Sequence, residues 1–207
     1  VAQCTAGYAG TRLKLPPPVV LLVSLTVGTL LGFFNAMLID RMRATAIIIT
    51  ISTMSVYFAL LMYFTGGKSI YGLPGWWSDS MVLFEVATGP DQTARFTLPI
   101  LVMLVVAVFT AFIMNRTSLG RQLYAMGGNP EAARRVGVSL STMQWFAYGY
   151  LGLLAGVAGL LQAHRVGEAV PNAMIGTELN VVAAAVLGGA SLLGGIGTVS
   201  GVVLGIF

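Results

Sequence analysis

Long apolar runs without ionised side chains dominate the chain, and short polar segments separate them. About 20 predominantly apolar residues are enough to cross the hydrocarbon core of a bilayer as a helix. The pattern therefore predicts an all-α integral membrane protein, a polytopic bundle of transmembrane helices. Four predicted spans and one interrupted apolar segment cover residues 16–39, 45–65, 96–114, 143–163 and, for the interrupted segment, 179–207.

The polar segments between these spans differ in length and charge. The first is short enough to make the first two spans a tight hairpin, whereas the second is long and contains the adjacent Trp76 and Trp77. A Trp pair suits the aromatic belt at a membrane interface, and two aromatics packed in a loop core are the alternative. The third segment is the most basic. The segments are 40–43, 66–95, 115–142 and 164–178.

Composition agrees with a membrane protein and excludes several other classes. Apolar residues make up 57% of the chain, charged residues only 9%, and the mean hydropathy is +0.87. A soluble domain uses about 25% charged residues. The net charge is +4, but no run of basic residues could follow a phosphate backbone, so we expect no nucleic-acid partner. The single Cys4 excludes an internal disulfide and a Cys-based metal or redox motif.

The distribution of Lys and Arg predicts the orientation. If the spans alternate in direction, segments 40–43 and 115–142 lie on one side of the membrane and contain six of the 11 Lys/Arg residues. The other five Lys/Arg residues lie on the opposite side. Two of those five, Arg12 and Lys14, lie close to the start of the sequence and need not follow simple alternation. Because cytoplasmic loops carry an excess of Lys and Arg, we place 115–142 in the cytoplasm and 66–95 and 164–178 in the periplasm.

Small residues recur at a spacing of four. This spacing puts them on one helix face, where a neighbouring backbone can approach closely. The alternative is coincidence, since the chain contains 26 glycines. The sets are Gly28 and Gly32, Gly152 and Gly156, Ala155 and Gly159, and Gly197, Gly201 and Gly205.

The interrupted segment contains five glycines within residues 187–197. Each Gly costs about 1 kcal/mol relative to Ala inside a helix, so we predict two half-helices joined by a glycine-rich turn. Such backbone is tolerated at membrane depth where it is buried in protein or lines a wet cavity, and we expect this turn to be buried. No Lys-Ser/Thr follows the glycines, as a phosphate-binding loop would require.

Catalytic and metal-binding patterns are missing from the sequence. His164 is the only histidine, so an interfacial or solvated histidine is the expected role. No Gly-x-Ser-x-Gly elbow, paired carboxylates or Walker A motif is present. We therefore expect no enzymatic activity and no cofactor in this chain, and any energy from ATP must come from a partner.

The two ends of the sequence suggest a longer polypeptide. The chain does not begin with Met, and Phe207 falls inside an apolar run. We expect the sequence to be the interior of a longer chain.

The basic loop contains a specific motif at residues 119–138. It reads Gly-Arg-x-x-Tyr-Ala-x-Gly-Gly-Asn, then Glu-Ala-Ala-Arg and a Gly. This segment resembles the cytoplasmic coupling segment of the ribose/xylose/galactose-type permeases of bacterial sugar ABC importers. The matching residues are Gly120, Arg121, Tyr124, Gly127, Gly128, Asn129, Glu131, Ala132, Arg134, Arg135 and Gly137.

The resemblance extends over nearly all of residues 18–207. It includes 156–159, 176–179 and 183–198 downstream of the loop, and 32–36 and 49–54 upstream of it. Ala36 and Ser52 stand where the family more usually has Gly. Residues 70–95 have no counterpart that we can match, which leaves the identity of the sugar open.

The resemblance implies a permease subunit in the bacterial inner membrane that moves a monosaccharide (a pentose, hexose or related sugar) from periplasm to cytoplasm. Its partners would be a cytoplasmic ABC ATPase that binds ATP and Mg, a periplasmic sugar-binding protein, a second permease subunit in a homodimer or heterodimer, and lipid. The motif residues would couple the chain to the ATPase. Residues that would lie in the pathway or at an interface are Asn35, Thr50, Glu178, Gly188, Gly189, Gly194 and Gly195.

The motif also has a physical interpretation. Pro130 and Glu131 suit the first turn of a short helix around 129–136, and Arg134 and Arg135 suit its last turn. Such a helix can insert into a groove on an ATPase. The alternatives are a solvated basic loop that only sets topology, a related ABC permease for branched-chain amino acids, and a non-ABC membrane channel or enzyme.

Overall fold

The structure is a computed structural model that describes residues 1–11, 16–42, 45–71, 82–89, 92–172 and 174–206, with the backbone alone for 82–89 and 92–96. Trp76 and Trp77, whose interfacial role is predicted above, lie outside this range, as do Arg12 and Lys14. Helices account for most of the described chain. They are α1 (Ala2–Thr11), α2 (Pro17–Met42), α3 (Ala46–Thr65), α4 (Leu98–Arg116), α5 (Ser118–Gly128), α6 (Pro130–Arg135), α7 (Leu140–Val166), α8 (Glu178–Leu187) and α9 (Val199–Ile206).

Four of these helices are long and apolar enough to cross a membrane: α2, α3, α4 and α7. Lipid contains no water to pair with exposed peptide groups, and a helix satisfies its backbone within the segment. These helices confirm the predicted all-α membrane fold. They extend past several predicted limits, since α2 continues to Met42 and α7 runs from Leu140 to Val166.

Residues 82–89 and 92–97 add a β-hairpin that the sequence analysis did not predict. Strand β1 (Val82–Gly89) pairs with strand β2 (Gln92–Thr97) in an antiparallel ladder, and Val82 lies opposite Thr97. This part of the chain was interpreted as a polar loop. Because β2 includes Phe96 and Thr97, helix α4 begins at Leu98 rather than at Phe96, with Pro99 in its first turn, where the missing N–H of proline leaves no bond unmade.

The described chain divides into two compact units, Val1–Ser80 with Gln144–Ala173 and Met81–Met143 with Met174–Phe207. In the first unit, α2 and α7 cross at their glycines. A Cβ on Gly28 would overlap the carbonyl oxygen of Gly152, and one on Gly156 would stand 2.8 Å from the carbonyl oxygen of Ser24. The predicted close approach of backbones at this spacing of four is confirmed for α2 and α7.

The second unit contains the interrupted apolar segment. Helix α8 ends at Leu187 and α9 begins at Val199, so the predicted break into two half-helices is confirmed. The two helices pack closely, because a Cβ on Gly201 would overlap the carbonyl oxygen of Gly188. Gly205 is equally tight against the carbonyl of Ala184. Two members of the predicted glycine triple therefore lie at the contact between α8 and α9.

Candidate functional site

The candidate site is the motif at 119–138, on helices α5 and α6. Helix α4 leads into it through a sharp turn at Thr117. The Thr117 hydroxyl donates to the carbonyl of Ile113 over 2.6 Å and accepts from the amide N–H of Gly120 at 3.3 Å. Gly120 is buried, and a Cβ there would meet the carbonyl oxygen of Ile113 at 2.6 Å. The glycine at this position of the motif is therefore required by the close approach of α4 and α5.

Helix α6 begins with a side-chain cap. The Asn129 side-chain oxygen accepts from the Ala132 N–H at 3.0 Å, which satisfies one of the unpaired donors of the first turn. Pro130 and Glu131 lie in that first turn, and Arg134 and Arg135 lie in the last. The short helix predicted from the sequence is confirmed, with charges placed as the helix dipole favours.

Gly137 ends α6. Its φ angle is +87°, in the left-handed region, and its N–H donates to the carbonyl of Arg134 at 3.1 Å. The next amide, that of Val138, donates to the carbonyl of Ala133 at 3.0 Å. This pair of bonds is the Schellman arrangement, which favours glycine at the left-handed position. The last glycine of the motif is thus a helix stop.

All four charged residues of the motif are exposed. Arg121, Glu131, Arg134 and Arg135 all lie on the surface of this chain, as does Ala132. Ala133 is the exception in α6, with only 3% of its surface exposed. One face of α6 therefore packs on the chain, and the remainder presents a small, mostly basic surface.

Helix α5 of the motif contacts the glycine-rich turn. The Tyr124 hydroxyl donates to the carbonyl of Gly197 over 2.7 Å. A Cβ on Gly127 would stand 2.6 Å from the amide nitrogen of Gly195, and one on Gly128 would stand 3.9 Å from the Cα of Gly195. Two segments that the sequence analysis treated separately are therefore in direct backbone contact.

The turn itself is a folded structure. Gly189 (φ +85°) closes α8, since its N–H donates to the carbonyl of Val186 and the next amide, that of Ala190, donates to the carbonyl of Ala185. Ser191 then donates its N–H to the carbonyl of Ile196 at 2.9 Å. Gly194 and Gly195 also have left-handed φ angles, +90° and +75°. The prediction of non-helical backbone is confirmed.

The turn is not buried within this chain. Leu193 is 95% exposed, and Leu192, Ile196 and Gly189 are exposed as well. Gly188, Gly194 and Gly195 are half-buried. Within this single chain the backbone of α5 covers only one side of the turn, and burial of the turn near a translocation path or at a subunit interface stays a prediction.

The remaining predicted pathway residues lie elsewhere. Asn35 of α2 accepts a hydrogen bond from the Tyr57 hydroxyl of α3 at 3.3 Å. Thr50 bonds to the carbonyl of Ala46 within its own helix. Glu178 is exposed in the first turn of α8. Asn35 and Thr50 belong to the first unit, and Glu178 belongs with the glycines of the turn to the second; a pathway role for any of them stays a prediction.

Sequence reasoning missed two residues that shape the site. Thr117 caps α5, and Thr198 caps α9 by accepting from the N–H of Gly201 at 3.1 Å. A threonine directly before a helical pattern is a recognised start signal, so both caps were detectable. Tyr57 was also missed, because a tyrosine within an apolar run resembles any other core aromatic.

Four membrane-length apolar helices, a short capped helix with an exposed basic end and an interrupted glycine-rich segment are the features of a multi-pass helical membrane protein, here of the bacterial inner membrane. Residues 1–207 match the family model described as "Branched-chain amino acid transport system / permease component", and the chain belongs to this family.

The chain is also similar to proteins named autoinducer 2 import system permease protein LsrC. It is 37% identical to that of Yersinia pestis (strain Pestoides F) over 190 residues, which cover 90% of this chain and 51% of the relative. It is 36% identical to those of Salmonella paratyphi B and Salmonella typhi, over 92% of this chain and 53% and 52% of those proteins. The chain thus spans about half the length of these curated relatives. No solved structure matches it.

Proposed function

We propose that this chain is part of the transmembrane permease subunit of an ATP-binding-cassette importer that moves a monosaccharide from the periplasm to the cytoplasm. Its link to a separate ATPase would be the segment 119–138. A related permease for branched-chain amino acids is the alternative, and a membrane channel or enzyme of another class is less well supported.

The observation that carries the proposal is the geometry of α6. The helix is closed at both ends within this chain, by the Asn129 side chain and by the left-handed Gly137. Its charged residues are exposed and Ala133 anchors it to the chain. A preformed short helix with an exposed face suits insertion into a groove, since little ordering is needed on binding.

The substrate class rests on the motif and on the relatives. The family description names branched-chain amino acids, whereas the relatives that match at 36–37% are named for import of autoinducer 2. The coupling segment resembles that of sugar permeases at every position of the motif. We therefore favour a pentose, hexose or related sugar over an amino acid.

The proposal includes partners and their cofactors. A cytoplasmic ABC ATPase would bind ATP and Mg, so that this chain would need no cofactor and perform no chemistry of its own. A periplasmic binding protein would deliver the sugar, and a second permease subunit would complete the pathway. The surrounding lipid would cover the exposed apolar faces of the four long helices.

Cross-linking and uptake test the proposal together. Ala132→Cys in the full-length permease should form a cross-link to the co-expressed ATPase, while Tyr71→Cys, on an exposed residue of the other unit, should form none. Proteoliposomes containing both subunits and the binding protein should then take up a labelled monosaccharide in competition assays with pentoses, hexoses and autoinducer 2.

Two results would contradict the proposal. Absence of any cross-link from Ala132→Cys, with normal uptake by the same variant, would exclude the segment as the ATPase contact. Uptake of leucine, isoleucine or valine in preference to every sugar tested would favour the amino-acid alternative.

A further inference from the structure

The side chain of Tyr124 contacts the glycine-rich turn and not the exposed helix α6 of the coupling segment. Its ring is half-buried, and its hydroxyl donates to the Gly197 carbonyl over 2.7 Å, across a sequence separation of 73 residues. Gly197 is the last glycine of the turn and directly precedes Thr198, the cap of α9. The hydrogen bond therefore ties helix α5 to the start of the last helix.

A second, independent contact lies one helical turn further along α5. The backbone of Gly127 lies against Gly194 and Gly195, so that a Cβ on Gly127 would come within 2.6 Å of the Gly195 amide nitrogen. In return, a Cβ on Gly195 would come within 2.6 Å of the Gly128 Cα. Such spacing permits backbone-to-backbone contact only, and no flexible side chain can absorb relative movement.

The turn is joined firmly to the helices on both sides of it. Gly189 and Ala190 complete the end of α8 with two backbone hydrogen bonds, and the Ser191–Ile196 bond closes the loop. Thr198 then starts α9. A displacement of the turn must therefore displace the end of α8 and the start of α9, because these hydrogen bonds join the turn directly to both helices.

On these contacts we infer that α5 and the turn at 188–198 move as one body, with Tyr124 and Gly127 as its positioning residues. The inference rests on the proposed function. It divides the coupling motif in two: α6 meets the ATPase, and Tyr124 and Gly127 carry the movement to α8 and α9. The glycines of the turn then serve as the surface on which the backbone of α5 packs.

Spin labels on the full-length permease test this inference. One pair joins Ala125 of α5 to Leu193 of the turn, both exposed, and a second pair joins Leu193 to the exposed Tyr71 of the other unit. Distances are measured by EPR in the complex with the ATPase, first without nucleotide and then after trapping with ATP and vanadate. We expect the Ala125–Leu193 distance to stay constant and the Tyr71–Leu193 distance to change.

Two variants should uncouple the turn. Tyr124→Phe removes only the hydroxyl, and Gly127→Ala adds a Cβ that must push Gly195 away. In each, the change at the Tyr71–Leu193 pair, measured on the purified complex that contains the ATPase, should fall by at least half. In Gly128→Ala the added Cβ would stay 3.9 Å from the turn, so the change of the Tyr71–Leu193 distance should fall less than in Gly127→Ala. Tyr63→Phe, at an exposed tyrosine of α3, should change neither distance.

The outcomes separate this inference from the proposed function. A shift of the Ala125–Leu193 distance on trapping in the wild type, or no shift at the Tyr71–Leu193 pair, would overturn it. If the wild-type permease does not bind the ATPase, the proposed function fails. The mobility of a single label at Leu193 still tests the contact, since it should be higher in Tyr124→Phe than in the wild type in nanodiscs. Equal mobility would overturn the inference.

Discussion

Gly127 and Gly137 lie ten residues apart in one motif, yet they are glycines for different physical reasons. Gly137 has a left-handed φ angle and open space around it, so its role is conformational. Gly127 has no unusual φ angle, and its role is to let the backbone of Gly195 approach. A substitution by Ala would therefore strain the backbone at Gly137 and create a steric overlap at Gly127.

At the residue scale, Asn129 should determine how well α6 is ordered. Asn129→Ala removes the side-chain oxygen that accepts from the Ala132 N–H and should destabilise the start of the helix by about 1 kcal/mol. Amide hydrogen exchange at residues 132–136 should accordingly be about fivefold faster, since 1.4 kcal/mol corresponds to a factor of ten. Asn129→Asp, which retains an acceptor, is the control; equal exchange in Asn129→Ala and wild type would contradict the capping role.

At the scale of the elements, glycines determine which helices pack most closely. Gly28 and Gly32 of α2 meet Tyr148, Gly152 and Gly156 of α7 backbone to backbone. Within a bilayer, close packing and interhelical contacts drive association, because lipid and apolar side chains are alike in polarity. The Ser24 hydroxyl, fully buried here, adds a hydrogen bond to the carbonyl of Gly156 at 3.2 Å.

Gly152→Ala should destabilise this crossing. The added Cβ would overlap the Gly28 carbonyl oxygen, and overpacking of this kind costs about 1–3 kcal/mol. We expect a lower midpoint of thermal unfolding for the full-length protein in detergent, measured by fluorescence-detected size exclusion. Ala158→Val on the exposed face of α7 is the control. An unchanged midpoint for Gly152→Ala would contradict the claim that the close contact between α2 and α7 contributes to the stability of the protein.

At the scale of the whole molecule, the orientation in the membrane is still a prediction from the Lys and Arg counts. The exposed basic residues of α5 and α6 agree with a cytoplasmic location for 115–142. Strand β1 and the first four residues of β2, 92–95, lie within the predicted periplasmic segment 66–95.

Cysteine labelling should decide the orientation. In a Cys4→Ser background, a membrane-impermeant maleimide should modify Tyr71→Cys in intact cells and Ala132→Cys only after the cells are opened. Even if Cys4 were kept, its labelling should be slow, since Cys4 is 4% exposed and burial raises the pKa of its thiol. The reverse labelling pattern would show that the Lys and Arg counts were misinterpreted.

Several features of the site were predictable because they depend on neighbours in sequence. Asn129, Pro130, Glu131 and the two arginines define α6 through capping and dipole effects within one or two turns. The hairpin at 82–97 was missed, although β-branched and aromatic residues on either side of Gly89-Pro90-Asp91 are typical of two strands and a turn. Its polar residues made it resemble a loop in a chain dominated by membrane spans.

The sequence by itself determined the membrane class, the long helices and the break after Leu187, because span length, apolar composition and glycine content act locally. Only the tertiary structure decided that Tyr124 bonds to Gly197 and that α2 crosses α7 at their glycines. The spacing of glycines shows that some backbone can approach, but it does not identify the partner. That choice depends on how segments distant in sequence fit together, and it is made by packing in three dimensions.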